Sequence, residues 1–268
     1  MKLAFTTLGC PDWSFDKIVE EAERLGFEAL EIRGIDGQMR AEEIPLFFPE
    51  NAETTKKRME SRRLKICGFG TSAKFHDDGA FEASVDEGKK AIDVCQRMGI
   101  PYIRVFGDQI AGEEVREHVI SQAAKGIRML CEYAEGKGVG VLLEVHGNFN
   151  TIEAVCGVAG QLKDRPEFGI LWDIEHSDKT YGDGWRAFYD QVKPYIKHTH
   201  IKDHKRNGGR FDLCLVGEGD IPIADIVKTL QADGYDGYFS LEWEKKWHPE
   251  LPDPSVALPG YLEFMRGL

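Results

Sequence analysis

The sequence has no run of about 20 apolar residues, so no stretch of it reads as a membrane-spanning helix. Its opening, MKLAFTTLGCPDW, is apolar over too short a distance, and interrupted too early, for a signal peptide. It has no C-x-x-C pair. The six cysteines stand apart at positions 10, 67, 95, 131, 156 and 214, several of them inside apolar segments. Reduced, buried thiols are the reading this favours, and with them a cytoplasmic protein. Positive charge is also in deficit: 34 Lys and Arg face 46 Asp and Glu, a net charge of −12. Such a chain repels a phosphate backbone, which argues against a nucleic-acid partner. No low-complexity or linker-like segment divides the chain. What remains is 268 residues of ordinary hydrophobic content, 42%, enough to bury a sizeable core without disulfides. The expectation is one domain over 1–268.

What the chain does contain is a recurring phrase: an amphipathic helix, a glycine, then a short β-rich run ending in a polar residue or glycine. AERLGFEALEIRG (22–34), CQRMGIPYIRVFG (95–107), AEGKGVGVLLEVHG (134–147) and QADGYDGYFSLEWE (231–244) are instances. The glycine accepts the left-handed backbone that ends a helix. The apolar run after it suits a strand buried on both faces. The pattern predicts eight strands, at Leu3–Leu8, Ala29–Arg33, Lys65–Phe69, Tyr102–Phe106, Gly140–Val145, Phe168–Asp173, Ile196–Lys202 and Tyr238–Trp243. Helices are expected between them, among them 14–25 with Ser14 as N-cap, 84–98 and 223–233. Regular β–α alternation implies a parallel sheet with right-handed crossovers. Eight units and a length near the usual figure of about 250 residues favour an α/β fold of the closed (β/α)₈ TIM-barrel type.

In such a barrel the chemistry sits where the strands end. Alternate residues point inward, so parity selects the candidates. The fifth strand ends in Glu144 and His146, the sixth in Asp173 with His176 just beyond, the seventh carries His198, His200 and Lys202, and the eighth Glu242 and Glu244. One acidic residue at a strand end is ordinarily a helix cap or ion pair, and one histidine a satisfied core residue. Four consecutive strands ending in carboxylate, carboxylate, imidazole and carboxylate are another matter. Three crowded carboxylates repel unless something positive lies between them. One divalent metal ion held by Glu144, Asp173, His200 and Glu242 answers that need. The oxygen-rich set favours Mn²⁺, with Mg²⁺, Co²⁺ or Zn²⁺ open. His198 lies one layer deeper and reads as a support. Glu31 and Arg33 share inward parity on the second strand, either as a buried pair or with Arg33 reaching substrate.

LLEVHG, LWDIEHS, HTHIKD and SLEWE, with VGEGDIPIADIV between the last two and RVFGD after the fourth strand, resemble the xylose-isomerase-like sugar isomerase/epimerase superfamily. The resemblance spans nearly the whole chain. It implies the metal-ligand set just named, with Glu144 and Glu242 also exchanging the substrate proton as acid and base. It gives His176, three residues past the aspartate, a place against substrate oxygens. Arg206, six past the ligand histidine, takes a similar task, with Arg210 as the alternative in the same loop. His146 and Lys202 depart from the tagatose-type epimerase pattern and are candidate substrate contacts particular to this chain.

A proton beside a carbonyl is removed at neutral pH by a placed base, while an ion stabilises the charge that develops on oxygen. The expected substrate is a keto sugar or sugar derivative, reacting through a metal-stabilised enediolate. Return of the proton to the same carbon from the other side epimerises, return to the neighbouring carbon isomerises, and loss of a β-hydroxyl dehydrates. The leading expectation is therefore an isomerase or epimerase, and the alternative a lyase of the inosose dehydratase type. Phosphodiester cleavage of the apurinic-site type is disfavoured by the acidic charge. Trp13, in the loop after the first strand, and His76, after the third, are further candidate substrate contacts. Phe69, Phe75, Trp243 and Trp247 are candidate pocket walls or ordinary packing. The sequence leaves a homo-oligomer open.

Overall fold

The structure, a computed structural model, describes residues 1–268. In chain order its elements are β1 (Lys2–Thr6), α1 (Phe15–Leu25), β2 (Ala29–Ile32), α2 (Pro49–Ser61), β3 (Lys65–Lys74), α3 (Phe81–Met98), β4 (Tyr102–Phe106), α4 (Arg116–Ala134), β5 (Gly140–Glu144) and α5 (Ile152–Gln161). There follow β6 (Phe168–Asp173), α6 (Ile174–Tyr181), α7 (Trp185–Val192), β7 (Ile196–Ile201), the pair β8 (Asp203–Asn207) and β9 (Arg210–Cys214), α8 (Ile223–Ala232), β10 (Tyr238–Leu241) and α9 (Pro254–Arg266). Eight parallel strands close into a barrel in the order β1-β10-β7-β6-β5-β4-β3-β2. The fold is a single (β/α)₈ TIM barrel. No helix is long and apolar enough to cross a membrane.

Local chemistry accounts for most boundaries. Ser14 Oγ accepts from the Lys17 amide and opens α1; Gly26, at φ +80°, closes it. Thr151 and Asp253 cap α5 and α9 in the same way, Asp253 with Pro254 in the first turn. The strands differ from the sequence expectation at their ends. β1 stops at Thr6 and gives way to a 3-10 turn over Thr7–Gly9. β3 runs on to Lys74, and β10 stops at Leu241. The stretch after β7, expected as a loop, is an antiparallel hairpin. Gly208 and Gly209, both at positive φ, make its two-residue turn.

The barrel is lined differently on its two faces. Outward residues such as Phe5, Leu30, Phe69, Ile103, Leu143, Trp172 and Phe239 belong to one large apolar cluster shared with the helices. Inward positions are small or polar: Ala4, Thr6, Ala29, Glu31, Gly68, Gly70, Arg104, His198, His200 and Ser240. Ala4, Ala29 and Cys67 fill part of the interior against Tyr238. Gly68 and Gly70 give up their side chains on consecutive inward positions of β3. A Cβ at the first would touch Glu31; at the second it would fall 2.6 Å from Arg104 Nη2 and 2.8 Å from Arg33 Cδ. Space inside the barrel is thereby surrendered to charged groups.

Candidate metal centre

The four strand-end residues meet. Glu144 and Asp173 are the last residues of β5 and β6, His200 is next to last in β7, and Glu242 follows β10. All four are buried, and one donor atom from each lies within 4.8 Å of the others. His200 Nδ1 is 3.2 Å from Glu242 Oε2, 3.4 Å from Glu144 Oε1 and 3.8 Å from Asp173 Oδ2. Donor atoms about 2.0–2.2 Å from one ion stand roughly 3–3.5 Å apart, so the spacing fits a common divalent cation. The polar atoms agree: His200 Nδ1 is buried without a hydrogen-bond partner and faces three carboxylate oxygens.

Each donor is aimed by a second contact. Glu31, on β2, lies 2.9 Å through Oε1 from His200 Nε2, and through Oε2 2.8 Å from His198 Nε2 while accepting from Ser240 Oγ at 2.7 Å. With Nε2–H given to Glu31, the Nδ1 lone pair of His200 faces the three carboxylates. Asp173 caps α6: its Oδ1 accepts from the amides of Glu175 and His176, leaving Oδ2 toward His200. Glu31 does not pair with Arg33. His198 takes the supporting place expected of it.

Two cations of the chain also reach the carboxylates. Arg104 Nε is 2.8 Å from Glu144 Oε2, its Nη1 donates to Thr71 O, and its guanidinium covers the Phe106 ring at 3.9 Å. Lys202 Nζ sits 2.7 Å from Asp173 Oδ2, 2.8 Å from Glu242 Oε2 and 2.7 Å from Glu244 Oε1. Burial opposes charge on Glu144, but Arg104 overcomes it and the carboxyl is held below its usual range. Burial likewise opposes charge on Lys202, and Asp173 and Glu242 outweigh it, pushing the ammonium's pKa up. The field at this point stabilises positive charge.

The other expected site residues divide into those at this mouth and those away from it. His146 and His176 face each other with ring centroids 4.2 Å apart. Burial pushes His176 down to about 4, so it is a neutral imidazole at physiological pH. His146 Nδ1 is 3.4 Å from Asp108 Oδ1; Asp108, at φ +71°, also binds Lys74 at 2.8 Å and lies 3.8 Å from His76 Nδ1. A cavity of about 540 Å³ opens beside them, lined among others by His146, His176, Lys179, Phe211, Glu244 and His248. Arg206 does not line it. Its guanidinium is held by Asp178 at 2.7 Å and Asp183 at 3.1 Å. Trp13 is buried under Lys17 beside Cys10 and Arg33. Phe69 and Phe75 are packed into the apolar cluster, the Trp243 indole donates to Pro252 O, and Trp247 is exposed. Arg104 and Asp108 stood in RVFGD, part of the resemblance, but were given no role in the site. The inward parity of Arg104 in YIRVF was the further signal.

Comparison with known proteins agrees with this architecture. The family model described as xylose isomerase-like TIM barrel matches residues 19–265. The fructoselysine 3-epimerase of Shigella flexneri is 24% identical over 285 residues, covering 100% of this chain and 98% of its own. The inosose dehydratase of Clostridium perfringens is 24% identical over 291 residues, covering 96% and 90%. Among solved structures, the IOLI protein with a binding zinc atom superposes with a TM-score of 0.78 at 17% identity, over 98% of this chain and 96% of that one. With a family model matched over nearly its whole length and the barrel closed as that family requires, the chain belongs to the xylose isomerase-like TIM barrel family.

Proposed function

We propose that the protein is a divalent-metal-dependent isomerase or epimerase that moves a proton beside the carbonyl of a keto sugar or sugar derivative. The observation that carries this reading is the convergence of Glu144, Asp173, His200 and Glu242 on one point, with His200 Nδ1 buried and unpaired among three carboxylates. Those residues hold the ion, Mn²⁺ first among candidates, with Mg²⁺, Co²⁺ or Zn²⁺ also suited to the donor set. Bound there, the ion polarises neighbouring substrate oxygens and stabilises the charge that builds on them. Glu144 and Glu242 arrive from different strands. One carboxylate takes the carbon-bound proton and the other returns it, which inverts a centre or shifts the carbonyl. His176 and His146 line the adjoining cavity and hold substrate hydroxyls. Arg206 acts on substrate only through the hairpin and α6 that it ties together. Trp13, beside Arg33, and His76, 3.8 Å from Asp108, stand outside that cavity and act on substrate only at its edge. The substrate is a small molecule, and a second copy of the chain is compatible with this reading.

Lys202 supports a second reading. Its ammonium lies within 2.8 Å of Glu242 and Glu244, where its positive charge can hydrogen-bond a departing hydroxyl. The same enolisation then ends in dehydration, as the inosose dehydratase relatives' name describes for their own substrate.

The test is a panel of keto sugars, free and phosphorylated, incubated with Mn²⁺ in D₂O and followed by NMR. An accepted substrate gains deuterium beside its carbonyl. Glu144→Gln and Glu242→Gln each lower exchange by about 10²–10⁴-fold. Metal content is measured on the same samples. A product of unchanged mass supports isomerisation, and loss of water supports the lyase. Product without solvent deuterium from metal-loaded protein points to hydride transfer and removes the acid–base role of the two glutamates.

A further inference from the structure

Arg33 and Arg104 lie side by side inside the mouth, and the site described so far does not use both. They come from β2's end and β4, with only Gly70 of β3 between them. A single added carbon at Gly70 would lie 2.6 Å from Arg104 Nη2 and 2.8 Å from Arg33 Cδ. Gly70 needs no unusual backbone, since its φ is not among the positive ones. The glycine is there for room, and the room is taken by the Arg104 guanidinium and the stem of Arg33.

Two like charges in such proximity repel, and a chain that places them together needs an anion to share. The protein supplies only part of one. Glu144 faces Arg104 through Nε, and Arg104 Nη1 is given to Thr71 O. Its Nη2, over Gly70, makes no hydrogen bond. Arg33 makes no ion pair: Glu31 is spent on His198, His200 and Ser240, and Glu242, Glu144 and Glu87 act on it only at longer range. Its Nη2 donates to Ser72 Oγ, an exposed hydroxyl at the rim, and its Nη1 is buried with no acceptor. Burial, followed by the repulsion of Arg104, pulls the Arg33 guanidinium down to about 10, which leaves it charged at neutral pH. A purely structural pair would have been cheaper with one neutral member.

We propose that Arg33 and Arg104 form a receptor for an oxyanion carried by the substrate, so that the substrate is an acidic keto compound with a carboxylate or a phosphate across the two guanidiniums. The unpartnered donors, Nη1 of Arg33 and Nη2 of Arg104, suit a planar or tetrahedral oxyanion with two oxygens presented together. Arg104 touches Glu144, so the anion lies within one small molecule's length of the reacting carbons. That closeness favours a carboxylate on the carbon skeleton itself over a phosphate at its far end. The inference names the substrate class for the proposed proton transfer, and rests on that reading for calling the anion part of the substrate.

The experiment is calorimetric titration of the metal-loaded protein with sodium acetate and, separately, inorganic phosphate at constant ionic strength. One of the two binds saturably in the millimolar range. Arg33→Gln and Arg104→Gln each weaken that binding about tenfold or more, with metal content unchanged. Arg33→Lys, a point charge in place of a fork, recovers only part of it. Arg104 is fully enclosed and its variant is judged only if it folds; Arg33 is only partly buried and decides by itself. Stronger binding of acetate identifies a carboxylate substrate, and of phosphate a phosphorylated one. No saturable binding of either anion, or equal affinity in wild type and Arg33→Gln, overturns the receptor. Solvent exchange on a neutral ketose alongside absent anion binding would defeat the acidic substrate and leave proton transfer standing. Anion binding without exchange on any keto compound would do the reverse.

Discussion

At Glu31 one carboxylate serves two imidazoles and a hydroxyl, and its ordinary pKa is lowered against the pull of burial by His200 and His198. Its part in the site is to choose which nitrogen of His200 faces the other carboxylates. Glu31→Gln puts an amide where two ring N–H groups and a hydroxyl need an acceptor. Metal affinity should fall about 10–100-fold, read by competition with a coloured chelator; an unchanged affinity would mean that His200 is held by packing alone. His176 makes the contrasting case. It is a neutral imidazole facing the cavity and no donor in the four-residue cluster. His176→Ala should lower kcat/KM and leave the metal stoichiometry intact, and loss of the ion would reassign it to the coordination set. Inward parity made Glu31 visible in the sequence. Its partners were not, because they come from strands β7 and β10, across the barrel.

The hairpin β8–β9 and helix α6 are joined through His204. Its Nδ1 is 3.0 Å from Glu175 Oε1 and its Nε2 2.9 Å from Asp178 Oδ2, with Phe211 packed on the ring. Burial alone would lower its pKa; hydrogen bonds to Asp178 and Glu175 reverse this and raise it to about 9. The folded value lies above the ordinary histidine value near 6.5, so the stabilisation is complete below about 6.5 and fades as pH rises through about 9. His204→Gln should cost about 3 kcal/mol at pH 6 and much less at pH 10, measured by urea unfolding at both. A pH-independent difference would show that the ring acts by packing. Arg206 belongs to the same clasp, since it shares Asp178 with His204. Arg206 and Arg210 were expected in a loop because their charges were read one by one. Asn-Gly-Gly was a turn signal in plain view, and it marks the hairpin that holds Lys205, Arg206 and Arg210.

For the molecule as a whole, the cluster of donors exists only when β5, β6, β7 and β10 are assembled, so an ion that binds it stabilises the fold. Ion at a thousand times its dissociation constant adds about 4 kcal/mol. For a chain of this size that is about 10 °C in Tm, to be lost on adding a chelator and regained on adding excess Mn²⁺. Melting that ignores both would argue against a resident ion. Much of this architecture was already legible in the sequence: the eight strands, the alternation with helices, and the four strand-end residues follow from periods of 2 and 3.6 residues and from glycines after helices. Those signals are local, and local sequence carries them. What tertiary structure alone decided is which inward residues meet. In the hydrogen-bonded register Glu144 stands beside Leu171, while Asp173 stands beside His200 and His200 beside Ser240, two residues short of Glu242. The tilt and stagger of a closed barrel bring these unequal positions to one depth. The same closure sets Arg104 against Glu144, spends Glu31 on histidines from the far side, and stands Arg33 beside Arg104 across a glycine. Each of those contacts depends on long-range geometry, which no window of sequence contains.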